Sequence, residues 1–94
     1  MRVRWLTKAI RNLDAEAEYI ARQNPAAAAE MYLCIKTRVD ALGGFPATGR
    51  PGRVPGTREL VIDVYPFIVP YRVAAQELHV LRVFHTRRSL PKDW

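Results

Sequence analysis

Three short runs in the second half of the chain, residues 58–64, 67–73 and 78–85, are each rich in Val, Ile, Leu, Tyr and Phe, with only two to four residues between them. Parallel neighbours need a crossover of a dozen residues or more, so connectors this short leave an antiparallel three-stranded meander. Whatever else the chain does, it must cover a sheet.

A tight turn at Tyr65-Pro66 sets Val64 opposite Phe67, Ile62 opposite Val69 and Leu60 opposite Tyr71. A second turn at Ala75-Gln76 sets Val73 opposite Leu78, Tyr71 opposite Val80 and Phe67 opposite Phe84. All of these fall on one apolar face. The other face collects Glu59, Val61, Asp63, Tyr65, Ile68, Pro70, Arg72, His79, Leu81, Val83 and His85. This mixed face is the candidate functional surface, although one-sided burial alone also produces such a pattern. Pro70 lacks a ladder donor and predicts a local break or bulge.

The first half supplies the cover. Ile10, Leu13, Ala17 and Ile20 recur at helical spacing behind Thr7, a candidate cap, giving an amphipathic helix over roughly residues 7–22. A second helix starts at Asn24-Pro25, a cap followed by proline at the first helical position. It carries Ala28, Met31, Ile35, Val39 and Leu42 on one stripe and stops at Gly43-Gly44. Ahead of both, Arg2-Val3-Arg4-Trp5 alternates like a strand. The order β-α-α-β-β-β predicts an α+β fold, a two-layer sandwich with the helical hairpin on the apolar face. A right-handed crossover puts the first strand beside the last and parallel to it.

With 94 residues, of which 49% are hydrophobic, the expectation is a single domain over 1–94 with one core. No run is long and apolar enough for a membrane span and no signal-peptide core opens the chain, so a cytoplasmic protein is expected. The lone Cys34 makes no internal disulfide and is read as a packing residue. No cofactor or metal is expected.

The formal charge is +6 and unevenly spread: the first forty residues hold seven cations and five acids, the remainder eight cations and four acids. Arg50, Arg53 and Arg58 occur between residues 41 and 58 without a carboxylate, and Arg82, His85, Arg87, Arg88 and Lys92 are opposed only by Asp93. Such segments favour a polyanion or an acidic protein, and arginine in excess of lysine favours bidentate contacts. Plain solubility is the competing account. Residues 45–56, dense in Gly and Pro, read as an exposed loop without helix or strand. The loop lacks the spacing and lysine of a P-loop.

Taken together, the first-helix pattern, the Asn24-Pro25 start, Pro46 to Gly49-Arg50, Thr57-Arg58-Glu59-Leu60, Tyr65-Pro66, Val69-Pro70-Tyr71-Arg72-Val73 and Leu81-Arg82-Val83-Phe84-His85-Thr86-Arg87-Arg88 resemble the RelE/ParE toxin superfamily of bacterial type II toxin-antitoxin systems over nearly the whole chain. The resemblance implies a growth-inhibiting toxin neutralised by a small acidic antitoxin. Ile68, Arg72, Leu81 and Val83 are then candidates for antitoxin binding, and Arg50, Arg53, Arg82 and Arg88 for target or phosphate binding.

The RelE-like branch cuts ribosome-bound mRNA and needs a base, an acid and a cation at the phosphate. For that chemistry the resemblance points to His85, Arg87 and Arg58. Two positions depart from it: Ile68 stands where the ribonucleases commonly place arginine, and Gly52 where a glutamate base can occur. ParE-like members inhibit DNA gyrase by binding and need no such set. The departures favour the ParE-like branch, with the RelE-like nuclease as the alternative and a non-toxic nucleic-acid- or antitoxin-binding module as a third reading.

Overall fold

In the computed structural model, residues 1–88 and 90–94 are described. The chain runs β1 (Arg2–Trp5), α1 (Thr7–Ala21), α2 (Pro25–Asp40), a 3-10 turn (Ala41–Gly43), β2 (Arg50–Pro51), β3 (Arg58–Ile62), β4 (Phe67–Ala74), β5 (Glu77–Val80) and β6 (Phe84–His85). The sheet order is β1-β5-β4-β3-β2, with β6 continuing the pairing along β4. β1 lies parallel to β5, and every other pair is antiparallel. The expected α+β sandwich and the parallel placement of the first strand are both present.

One cluster joins Ala9 and Leu13 of α1, Met31, Ile35 and Val39 of α2, and Leu60, Ile62, Phe67, Val69, Tyr71, Leu78 and Val80 of the sheet. The second-helix stripe is buried as its spacing requires, and Asn24 caps that helix through Oδ1, accepting from the Ala27 amide at 3.0 Å. The first helix turns Leu13, Ala17 and Ile20 to the core as expected, and differs at its start. Ala9 enters the core, Ile10 is 42% exposed, and Leu6 rather than Thr7 occupies the cap position, with no side-chain cap. Ala9, four residues before Leu13, stands on the same face of α1 and is fully buried.

Two turns differ from the sequence reading. The first hairpin uses a four-residue turn, Asp63 to Pro66, so Ile62 faces Phe67 and Leu60 faces Val69. That moves the register by two residues, and because side chains alternate with period two, the residues that stay paired keep their faces; Val64, expected on the core face, falls in the turn and is 71% exposed, and Tyr65 packs against the core. Arg38 of α2 bonds Asp63 and holds its carboxyl below the ordinary 3.8, which ties this turn to the helices. The second hairpin has the expected register, Val73 opposite Leu78 and Tyr71 opposite Val80, with Ala75 in the left-handed region at φ 56°.

Beyond Val80 the strand breaks. Tyr71 pairs with Val80 but Ile68 pairs with Phe84 and Phe67 with His85, a slip of one residue across Leu81-Arg82-Val83. One extra residue inverts everything after it. Val83 enters the core at 2% exposure, Phe84 turns to the open face, and His85 turns to the helix side, where its ring meets Phe67 edge-on at 5.3 Å. The break lies opposite Pro70, whose carbonyl accepts from the Leu81 amide at 2.9 Å while its nitrogen has nothing to donate.

The Gly/Pro segment is not a free loop. Arg50 and Pro51 pair with Glu59 and Arg58 as an edge strand, and Tyr71 pins the loop from beneath. The Tyr71 hydroxyl donates to the Pro46 carbonyl at 2.7 Å and accepts from the Gly49 amide at 2.8 Å. A Cβ at Gly49 would stand 2.7 Å from the same phenol, so only glycine fits.

Candidate functional site: a cationic groove on the open face of the sheet

The open face is built by the outward residues of β3, β4 and β5. Glu59, Ile68, Pro70, Arg72 and His79 follow from strand alternation, and β1 adds Arg2 and Arg4 beyond β5. Much of this face is closed by the chain itself. Phe84 and Trp94 stack at 5.4 Å, Trp94 Nε1 donates to Thr57 Oγ1 at 3.2 Å, and the Arg53 guanidinium lies 5.3 Å over the indole. Arg53 also donates to the Pro91 carbonyl and Arg82 to the Trp94 carbonyl. With the chain end held there, Ile68 is only 2% exposed although it points away from the main core.

Most of the candidate cations are bonded within the molecule. Glu59, 3% exposed, accepts from Arg50 at 3.1 Å and from the Arg53 amide at 3.0 Å, with the Arg53 guanidinium 3.7 Å away. Arg58 lies on the helix side of β3 and donates to the Gly49 carbonyl at 2.7 Å. Arg82 donates to Asn12 Oδ1 at 2.8 Å and lies 4.6 Å from the Phe84 ring centre. Arg88 pairs with Glu16 of α1 at 2.8 Å. Arg87 is exposed; its amide donates to His85 Nδ1 at 3.2 Å.

The sequence-derived groups therefore separate. The proposed phosphate-binding cations Arg50 and Arg53 surround a carboxylate, Arg82 braces the chain end, and His85 and Arg88 sit on the α1 side with Glu16. Of the four candidate antitoxin contacts, Val83 is in the core and Ile68 lies beneath the chain end, whereas Arg72 and Leu81 line an open groove.

That groove, of about 610 Å³, runs between the start of α1 and the chain end. Leu6, Val54, Leu81 and Trp94 give it apolar walls, and Lys8, Arg72 and Asp93 stand around it. Lys8 and Arg72 form no ion pair among the described residues. A smaller cavity of about 180 Å³ is lined by Asn12, Glu16, His85 and Arg88 among others.

Sequence reasoning missed Glu59 as a buried acceptor, Trp94 as a wall, and Lys8 and Glu16 as neighbours of the tail. Only Glu59 left a signal: a lone acid beside Arg50, Arg53 and Arg58. Further along the edge, His79 Nε2 and Glu77 lie 3.1 Å apart; this contact, with Arg2 and Arg4 nearby, holds the Glu77 carboxyl below its ordinary 4.5.

A two-helix layer covers one face of a small mixed sheet, and a groove flanked by Lys8 and Arg72 opens on the other. The profile described as the ParE toxin of the type II toxin-antitoxin system parDE matches residues 3–90, and the chain belongs to that family. It is 44% identical over 91 residues to the Y4kP protein of Sinorhizobium fredii, covering 97% of this chain and 94% of that one. With toxin RelE2 of Caulobacter vibrioides it shares 37% identity over 84 residues, 89% of this chain and 93% of the relative. A solved chain from the chromosomal ParDE system of P. aeruginosa superposes with a TM-score of 0.83 at 32% identity, covering 90% and 95% of the two chains. The family resemblance drawn from the sequence is thereby shown.

Proposed function

We propose that the protein is a growth-arresting toxin of the cytoplasm, held inactive by direct binding of an acidic antitoxin, and that it acts on DNA gyrase by binding and not by cutting RNA. The dispersal of the cations supports this reading most. Phosphodiester cleavage needs a base, an acid and a cation converging on one phosphate. Here Arg50 and Arg53 surround Glu59, Arg58 bonds loop carbonyls, and His85 lies on the opposite side of the sheet from the groove. Binding to a partner requires no such convergence, and the positive charge speeds encounter with an acidic one.

The second reading, ribosome-dependent mRNA cleavage, is favoured by one arrangement. Glu16, His85 and Arg88 line the same small cavity, which brings a carboxylate, an imidazole and a guanidinium together. Arg88 is already paired with Glu16, so a phosphate would have to compete for it.

Induction without antitoxin, with DNA and protein synthesis followed separately by pulse labelling, distinguishes the two. An early fall in DNA synthesis, with purified toxin inhibiting gyrase supercoiling, is the expected result. An early fall in translation with cut mRNA, relieved by His85→Ala, would replace the gyrase reading with the nuclease one.

A further inference from the structure

Grouped by face instead of by position along the chain, the cations that stay available lie at the β1 end of the open face. The register sets Arg4 of β1 beside His79 of β5 and His79 beside Arg72 of β4, one row across three strands, with Arg2 beside Glu77 in the adjacent row. Lys8, at the start of α1, stands with Arg72 around the groove that borders this row. Neighbouring strands lie about 4.8 Å apart and alternate residues of one strand about 6.6 Å apart, so Arg2, Arg4 and Arg72 are rooted within about 12 Å of one another.

Little negative charge opposes them. Glu77 is the one acid in these two rows, and Asp93 lines the groove. Glu77 meets His79 at 3.1 Å but reaches Arg4 and Arg2 only at 4.0 and 3.9 Å, with 61% and 78% of those side chains exposed. Exposed pairs at such distances hold a cation weakly, so both arginines stay open to an incoming anion. Arg72 is exposed and has no carboxylate partner among the described residues. At the β3 end the buried Glu59 already occupies Arg50 and Arg53.

We infer that the row Arg4–His79–Arg72, with Arg2 and Lys8 beside it, is a docking surface for the phosphate backbone of double-stranded DNA. The choice of DNA rests on the gyrase reading above, whose target holds DNA, and the assignment goes further by giving the toxin a nucleic-acid contact of its own. Cations spread over three strands suit a polyanion whose charges repeat along its length. Single strands are bound on free aromatic platforms, and here Phe84 and Trp94 pack on each other with Arg53 over the indole. Backbone contacts position a duplex without reading its sequence, so binding is indifferent to sequence.

The test is fluorescence anisotropy of a labelled mixed-sequence DNA duplex with the purified full-length toxin and no gyrase, read from about 50 to about 200 mM salt. Three phosphate contacts give a slope of log Kobs against log salt of about −3. Arg72→Ala and Arg4→Ala should each weaken binding and reduce that slope by about 1. Arg22→Ala, at the far end of α1 in the helix layer, removes the same charge and should leave binding within about twofold. Glu77→Gln should tighten binding by about threefold, a gain that a damaged fold would not produce.

No binding at the lowest salt overturns the assignment. So does binding that ignores the open-face substitutions or falls equally with Arg22→Ala, since net charge alone would then account for it. Polyglutamate that displaces the duplex at equal charge concentration would give the surface to an acidic protein, and a preference for an RNA duplex would remove the case for DNA; either overturns the proposal. Inhibition of gyrase supercoiling, measured separately, keeps the two readings apart. A toxin that inhibits gyrase without binding DNA loses this surface and keeps its target, whereas one that binds DNA as described and leaves supercoiling intact keeps the surface and loses the gyrase reading.

Discussion

The two faces of the sheet bury residues by different means. On the helix side, Leu13, Met31, Ile35, Val69 and Tyr71 meet as side chains from regular elements, each at 1% exposure or less. On the open side, Ile68 is closed off by an irregular segment held through hydrogen bonds and cation–π contacts around Trp94. The first kind of burial follows from periodicity. The second depends on polar groups meeting over long sequence separations, and it stops short of covering Arg72 and Leu81.

The contrast can be broken by truncating one residue on each face. Ile35→Ala should cost about 3 kcal/mol in urea unfolding, as usual for a close-packed core. Ile68→Ala should cost about 1–2 kcal/mol, because the segment above it can settle into the gap. Equal losses would mean that the chain end packs as tightly as the helices.

The polar closure is tested at Glu59. Glu59→Ala removes the acceptor for Arg50 and for the Arg53 amide, and leaves two largely hydrated arginines in place of a buried charge. A loss of about 2 kcal/mol is expected, with faster hydrogen exchange through residues 50–56. An unchanged exchange pattern would assign the loop's order to Tyr71, Arg58 and the β2–β3 pairing.

At the β4–β5 turn, Ala75→Gly relieves a left-handed alanine and should stabilise the chain by about 0.5–1 kcal/mol, net of glycine's own entropy cost. A destabilised variant would mean that the alanine methyl makes a contact worth more than the strain.

The smallest effect concerns acid. Glu77 is held below its ordinary 4.5, chiefly by the hydrogen bond with His79, so the stability it contributes is present at neutral pH and is lost as pH falls through its folded value. Glu77→Gln should therefore flatten the unfolding profile below about pH 4.5 and leave higher pH unchanged in slope. A parallel profile would exclude the Glu77–His79 contact as a source of acid sensitivity.

Much of the architecture was legible because it rests on local periodicity. The α2 stripe, its Asn24-Pro25 start, the parallel β1 and the β4–β5 register follow from spacing and connector length alone. The β3–β4 turn was read too short, yet the faces of the paired residues survived because the error was an even number of residues; Val64 and Tyr65, drawn into the turn, lost theirs. The break at Leu81-Arg82-Val83 was an odd shift, and it moved Val83 and His85 off the face to which alternation had assigned them. Of the residues that line the groove, the sequence reading named Arg72 and Leu81 as site residues and none from the start of α1.

By itself the sequence determined the layers, the order of the four strands it recognised, the basic character and the family, since each depends on short-range pattern or on similarity along the whole chain. Only the tertiary structure decided which arginines remain available. Asn12, Glu16 and Trp94 each claim a cation from a distant element, and spacing carries no record of a pairing that closes only when those elements pack.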